Sequence, residues 1–248
     1  MMPRFVGRLG PADAVTVANA ALGFAAAAAV LVDPGLAARL VLLAAVADGL
    51  DGVLARETGG TEIGPYLDAL ADVASFCVAP ALFVFAVAAD AWGAAPPAVV
   101  AAVAVPALFV AMGVVRLGMY TIHDPAGPVT VGVPTTLAAT VLAALYLAGV
   151  TNPTVLLGLT GVFAYLMVTS VEYPDLYARD ALVMGAVQVL AVAVPGVLGR
   201  AFPRILLAGA LGYLVLGPRF YWRDVPTRSE SGPADRSRAE THGPGEGT

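Results

Sequence analysis

Apolar residues along this chain fall into long runs, not into alternation. Eight runs of helical length stand at about 14–32, 36–56, 66–89, 96–118, 134–150, 153–171, 180–198 and 203–218. The breaks are turn residues: Asp33-Pro34-Gly35, Gly59-Gly60, Pro96-Pro97, Asp124-Pro125, Asn152-Pro153 and Pro174-Asp175. This pattern predicts an all-α, polytopic transmembrane helical bundle of about eight spans. Several runs are shorter than the ~20 residues of a full crossing. The last two also read as one re-entrant pair, so six is the lower count. Residues 1–218 form one membrane domain on this reading. From Arg219 the chain turns polar and rich in Gly, Pro and Ser, so 219–248 is expected to be a disordered cytoplasmic tail. Tyr221 and Trp222 at the junction fit an interfacial belt, and residues 1–9 a short piece lying along the membrane surface.

Composition narrows the class. Hydrophobic residues make up 59% of the 248, and charged residues only 12%. A soluble globule has roughly twice that share of charge, so a soluble enzyme is excluded. The 13 basic residues are all arginine, against 18 acids, for a net charge of −5. Two sources of a lysine-free, alanine-rich chain stay open: a halophile and a GC-rich genome. The acid excess favours the first. With no basic patch outside a short tail, nucleic acid is not a partner. Cys77 is a lone cysteine in an apolar run and reads as a core residue. The first apolar run lacks a clear cleavage site and reads as a span, not a signal peptide. Counting eight spans, Arg4, Arg8, Arg56, Arg116, Arg179 and the tail arginines fall on one side, with Arg200 and Arg204 against the trend. That bias places the N-terminus inside a plasma membrane.

Charge within the apolar part gathers in one window, DGLDGVLARETGGTEIGPYLDALAD, from Asp48 to Asp72. Asp48 and Asp51 are three apart near the end of the second run. Asp68 and Asp72 are four apart near the start of the third. Each spacing sets two carboxylates on one helical face. A short connecting loop makes the two helices antiparallel neighbours and brings all four acids to one membrane surface, inside by the arginine count. Four anions so close need neutralising, and hard divalent cations with oxygen ligands do this. Two such ions clamp a phosphoryl group and its leaving group. Arg56 is placed to pair with an acid or a phosphate. Gly49, Gly52 and Ala55 leave one helix side bare for a close neighbour, and Gly64 opens the next helix, whose N-terminus favours anions. On spacing alone, solvated helix ends and a transporter's ion pathway stay open beside the phosphoryl-transfer site.

The window resembles the signature of the CDP-alcohol phosphotransferase family, integral membrane enzymes of phospholipid head-group synthesis. The family pattern is D-x-x-D-G-x-x-A-R, a spacer, then G-x-x-x-D-x-x-x-D. The chain supplies Asp48, Asp51, Gly52, Ala55, Arg56, Gly64, Asp68 and Asp72. Its spacer, residues 57–63, is one residue shorter than is common in the family. Further stretches are similar to the phosphatidylserine synthase branch. VTVANAALGF (Val15 to Phe24) is similar to L-T-L-A-N-x-x-x-G-F. VASFCVAPA after Asp72 is similar to V-x-S-F-G-V-A-P-A, with Cys77 in place of a glycine. VGVPTTLAA (131–139) is similar to G-L-P-S-P-A-A-A, with Thr136 in place of the second proline. LMVTSVEYP (166–174) is similar to L-M-V-S-x-x-x-Y-P.

The resemblance implies attack of an alcohol on the lipid-side phosphorus of a CDP-activated lipid, with CMP leaving. It implies two divalent cations, Mg²⁺ or Mn²⁺, on Asp48, Asp51 and Asp68. Asp72 is then the general base toward serine and a further contact to metal. Gly52 and Ala55 would admit the cytidine. Thr16 and Asn19, three apart on the first helix, line the nucleotide site or serve as helix-packing contacts; both readings stand. Arg116, the one arginine between residues 57 and 178, is a candidate for the serine carboxylate or a phosphate. A topology-setting arginine is the alternative. His123 and His242 lack partner ligands for zinc, and Glu172 and Tyr173, after a span at the inside surface, read as a solvated turn, with a place at the border of the site as the alternative. Serine, a CDP-lipid (CDP-archaeol if the chain is halophilic), the bilayer and a second copy in a homodimer are the implied partners. Glycerol phosphate or inositol phosphate as acceptor, and a cation-coupled transporter, remain as alternatives.

Overall fold

The computed structural model describes residues 7–93, 96–123, 129–174 and 176–221. Outside them lie residues 1–6 of the expected surface piece, the Asp124-Pro125 turn, Asp175, and the tail from Trp222 with its His242. The side chain of His123 also lies outside the description.

Each apolar run carries a helix, though several helices stop short of the end of their run, α7 at Leu166 and α8 at Ala193. α1 (Pro11–Ala29) and α2 (Pro34–Thr58) are followed by a rod made of α3 (Gly64–Asp72), a π turn (Val73–Val78) and α4 (Ala79–Trp92). Then come α5 (Pro96–His123), α6 (Thr135–Leu147), α7 (Pro153–Leu166), α8 (Ala178–Ala193) and α9 (Ala201–Phe220). With the rod counted once, eight helices stand among the described residues, one per apolar run. Turn residues stop one helix and start the next. The Asp33 carboxylate accepts from Gly35 N at 2.8 Å, and Asn152 Oδ1 accepts from Thr154 N at 2.9 Å. Each caps a helix whose first residue is proline.

Among the described residues, four helices are long and apolar enough to cross a membrane: Pro11–Ala29, Gly64–Trp92, Pro97–Ile122 and Val197–Phe220. The last run, read alternatively as half of a re-entrant pair, is thus long enough to cross alone. α6 and α7 have only 13 and 14 residues, about 20 Å against a hydrocarbon core of ~30 Å. α6 tolerates this because it is enclosed by protein: Ala138 to Ala144 are all buried. In the same core, Phe76, Phe83, Phe109, Phe163 and Met167 are fully buried. The Phe83 and Tyr146 rings meet edge to face, 5.1 Å between centroids.

The π turn has a local cause. Pro80 has no N–H to give the carbonyl four residues back, and its ring crowds that turn. The chain rewinds, and Ala79 N donates to Ala74 O, five residues back. α1 closes on the rewound turn at Gly23, where an added Cβ would lie 2.8 Å from Ser75 N. Ser75 Oγ donates to Asn19 O at 2.8 Å.

One small element was not expected. β1 (Val129–Val131) pairs antiparallel with β2 (Glu172–Pro174), Thr130 opposite Tyr173. This corrects the reading of 172–173 as a solvated turn. Glu172 is exposed, but Tyr173 is buried, its hydroxyl donating to Leu214 O in α9. Behind β1, Gly132 turns the chain with φ +75°, and an added Cβ would overlap Met167 O at 2.3 Å. α8 is tied to α2 by two polar links: Arg39 Nε to Val192 O at 2.7 Å, and Gln188 Nε2 to Leu42 O at 2.8 Å.

Candidate active site

α1 packs against both α2 and α3, whereas α2 meets the rod mainly at the π turn and α4. The ends of α2 and α3 beside their shared loop therefore stand apart. The expectation of direct antiparallel neighbours holds only deeper in the bundle. The gap is a cavity of about 380 Å³ lined by α1, α2, α3, the loop and α5.

Asp48, Asp68 and Asp72 each bring one carboxylate oxygen within 4.8 Å of the others. Asp48 and Asp68 face the cavity, while Asp72 is buried behind them, 8% exposed. Asp51 lines the cavity one turn along from Asp48, but its Oδ2 accepts the Thr16 hydroxyl at 2.7 Å. Helical periodicity puts the acids on matching faces, and α1 then draws one of them aside. The start of α6 points at the cluster. Thr135 Oγ1 donates to Asp72 Oδ2 and Thr136 Oγ1 to Asp48 Oδ2, each at 3.4 Å. The positive end of that helix dipole faces the carboxylates. Three converging carboxylate oxygens, with a fourth acid beside them, form a hard donor set that fits a divalent cation.

Most of the residues singled out from sequence meet at this cavity. Thr16, Gly52, Ala55 and Gly64 line it. The bare strip at Gly52 and Ala55 forms its α2 wall. Arg56 is exposed at the edge, its guanidinium beside Gly52, and is not part of the lining. Asn19 is not in the lining either. It is fully buried one turn below Thr16, and its side-chain amide has no hydrogen-bond partner.

Sequence reading missed Asp13, which lines the cavity with only 3% exposure. Its Oδ2 accepts Gly10 N at 2.7 Å and the Thr61 hydroxyl at 2.8 Å. Thr61 Oγ1 in turn accepts Gly64 N at 3.1 Å. Asp13 thus fastens the short α2–α3 loop to α1. An acid in the first turn of a helix was the only signal, and first-turn acids are common.

Arg116 is buried, 7% exposed, on α5. Its guanidinium lies 5.5 Å from the Tyr120 ring centroid and within electrostatic reach of Asp72. It lines a second cavity, about 300 Å³, with Tyr120, Met167, Thr169 and Ser170. Tyr120 borders both cavities. Asp72 is in the lining of neither; it lies beside Asp48 and Asp68 and within electrostatic reach of Arg116.

The fold and site define a class: an all-α membrane protein with carboxylates from two helices gathered beside a cavity at a helix-loop-helix turn. The chain belongs to the CDP-alcohol phosphatidyltransferase family, which it matches over residues 10–172. Family members use divalent cations, and the aspartate cluster is compatible with that use. The chain is 33% identical over 138 residues to archaetidylserine synthase of Methanothermobacter thermautotrophicus, covering 54% of this chain and 56% of that protein. It is 33% identical over 151 residues to a CDP-diacylglycerol–serine O-phosphatidyltransferase of Helicobacter pylori strain J99, covering 56% and 61%. The same enzyme of strain 26695 is 32% identical over 151 residues, with the same coverage. The chain spans little more than half the length of these curated relatives. α8 and α9 lie beyond the family match.

Proposed function

We propose that this chain is a membrane phosphatidyltransferase that condenses a CDP-activated lipid with L-serine, giving a serine phospholipid and CMP. The observation that carries this is the meeting of Asp48, Asp68 and Asp72 beside a cavity walled by Gly52, Ala55 and Gly64. Asp48, Asp51, Asp68 and Asp72 would hold two divalent cations, Mg²⁺ or Mn²⁺, which would supply charge neutralisation at the pyrophosphate. Gly52 and Ala55 admit the CDP moiety with Thr16 beside it, the α3 N-terminus at Gly64 faces its phosphates, and Arg56 guards the edge. Asn19 supports the site through α1 packing.

The serine hydroxyl oxygen forms a bond to the lipid-side phosphorus as the bond from that phosphorus to the CMP oxygen breaks. CMP leaves with the bonding electrons, and Asp72 takes the hydroxyl proton. The closeness of Asp72 to Asp48 and Asp68 and to the charge of Arg116 supports this role. Arg116, within electrostatic reach of Asp72, holds the serine carboxylate. Serine carries carboxylate and hydroxyl only a few bonds apart, so their receptors must be neighbours. The names of the relatives, an archaetidylserine synthase and a CDP-diacylglycerol–serine O-phosphatidyltransferase, also favour serine.

CDP-archaeol is the favoured lipid, from the acidic, lysine-free composition and the archaeal relative. The enzyme works as a homodimer in the plasma membrane, its site at the cytoplasmic face, with residues 219–248 as a tail. The acceptor is tested by supplying purified chain, CDP-lipid and Mn²⁺ with serine, glycerol phosphate or inositol phosphate in turn. CMP release is expected with serine alone. Release with a phosphorylated acceptor but not with serine would overturn the serine assignment.

A further inference from the structure

We infer that the apolar cavity between α2, α6, α8 and α9 holds one hydrocarbon chain of the activated lipid, so that the C-terminal helix pair is part of the lipid-binding site. This rests on the reading of the chain as a CDP-lipid transferase. The cavity measures about 600 Å³, within the usual range for ligand sites. Its wall includes Ala45 of α2, Leu137 of α6, Met184 of α8, and Leu206, Ala210 and Leu216 of α9. It follows one face of α9 from Leu206 to Phe220, about 21 Å at the helical rise.

Two observations fix the occupant. First, the largest polar side chains in the wall are already engaged. The Tyr221 hydroxyl donates to Asp180 Oδ2 at 2.5 Å, Tyr213 Oη to Pro174 O at 2.7 Å, and Gln188 Nε2 to Leu42 O at 2.8 Å. With these engaged and most of the remaining wall made of Ala, Leu, Met, Phe, Pro and Gly, the lining suits hydrocarbon better than a nucleotide or sugar. Second, the cavity adjoins the aspartates through a shared residue. Thr136 lines it, and the same hydroxyl donates to Asp48. A lipid whose phosphate sits at the aspartates has its chain beside this opening. Another apolar groove, about 500 Å³ between α4 and α5, is lined by no residue hydrogen-bonded to the aspartate cluster.

The test joins binding and kinetics on the full chain. A CDP-lipid with a photoreactive diazirine near the end of one chain is irradiated with the wild-type protein in detergent. Label is expected on α8 and α9, and excess unlabelled CDP-lipid should remove it. Label on α4 and α5, or label that unlabelled CDP-lipid does not displace, would overturn the inference. This readout needs no turnover, so it still decides if serine proves not to be the acceptor. The second arm is Gly212→Leu. Gly212 lines the cavity, and an added Cβ meets nothing within 4 Å. The side chain therefore enters open space, on a helix that favours leucine over glycine. KM for a long-chain CDP-lipid should rise about tenfold, the loss expected from displacing about two methylenes. KM for serine, and KM for a CDP-lipid with truncated chains, should not move. An equal rise for long and truncated lipids, or no rise for either, would contradict the assignment.

Discussion

Replacing Thr16 by valine tests how the site is assembled. The Thr16 hydroxyl donates to Asp51 Oδ2 at 2.7 Å, and both residues are 5% exposed. It is also 3.2 Å from Ala12 O, a carbonyl on its own helix. Valine keeps the volume and opens no cavity, so the change removes the hydroxyl alone. Asp51 is left one donor short in a buried place. A buried hydrogen bond to a carboxylate contributes about 1.5–3 kcal/mol, so a loss of about 2 kcal/mol is expected. For a chain of this size that is a fall in Tm of about 4–8 °C, read by thermal unfolding in detergent. The energy belongs to the pair, so a double-mutant cycle with Asp51→Asn should return a coupling of about 1–2 kcal/mol. Effects that add to within ~0.5 kcal/mol would refute the claim that α1 holds Asp51 in place.

Other consequences follow from single contacts. Gly132→Ala meets both a left-handed backbone and Met167 O at 2.3 Å. It should cost at least ~2 kcal/mol and lower the yield of folded protein, measured by size-exclusion chromatography in detergent. Asp13→Ala frees Thr61 and Gly10. KM for CDP-lipid should rise several-fold while kcat holds within about twofold, and Asp13→Asn should restore much of the loss by keeping an acceptor. Gly113→Ala sets a Cβ 2.5 Å from Cys77 Sγ and should destabilise by ~1–3 kcal/mol. The pair Gly113→Ala with Cys77→Gly should recover most of that in the same unfolding assay.

The aspartates were legible because spacing becomes geometry once helices are assumed. Three and four residues apart on two connected helices leave few other arrangements. The helices themselves were legible because runs of apolar residues punctuated by Asp-Pro, Asn-Pro and Pro-Pro have one common reading in a membrane. What stayed hidden depends on contacts between distant segments. Thr16 draws Asp51 from 35 positions away, and Asp13 reaches Thr61 across 48. Tyr173 looked solvated beside Glu172, but β1 and α9 bury it. The π turn had a visible cause in Pro80, though a proline near a helix start more often only marks a boundary. Thr136 stood out as a departure from a motif. Its hydroxyl, which proline would lack, reaches Asp48 and borders the apolar cavity.

In the proposed reaction, Asp72 acts as base toward serine beside a separately bound CDP-lipid. The most direct measurement compares wild type with Asp72→Asn, supplying CDP-lipid, Mn²⁺ and labelled serine, and follows both CDP-lipid affinity and the appearance of CMP with labelled lipid. Wild type should form CMP and serine lipid in equal amounts. Asp72→Asn should bind CDP-lipid within a few-fold of wild type and lose at least about a thousandfold in turnover, near the scale of a lost general base. Turnover within tenfold of wild type, or a wild-type chain that releases no CMP with serine, would contradict it.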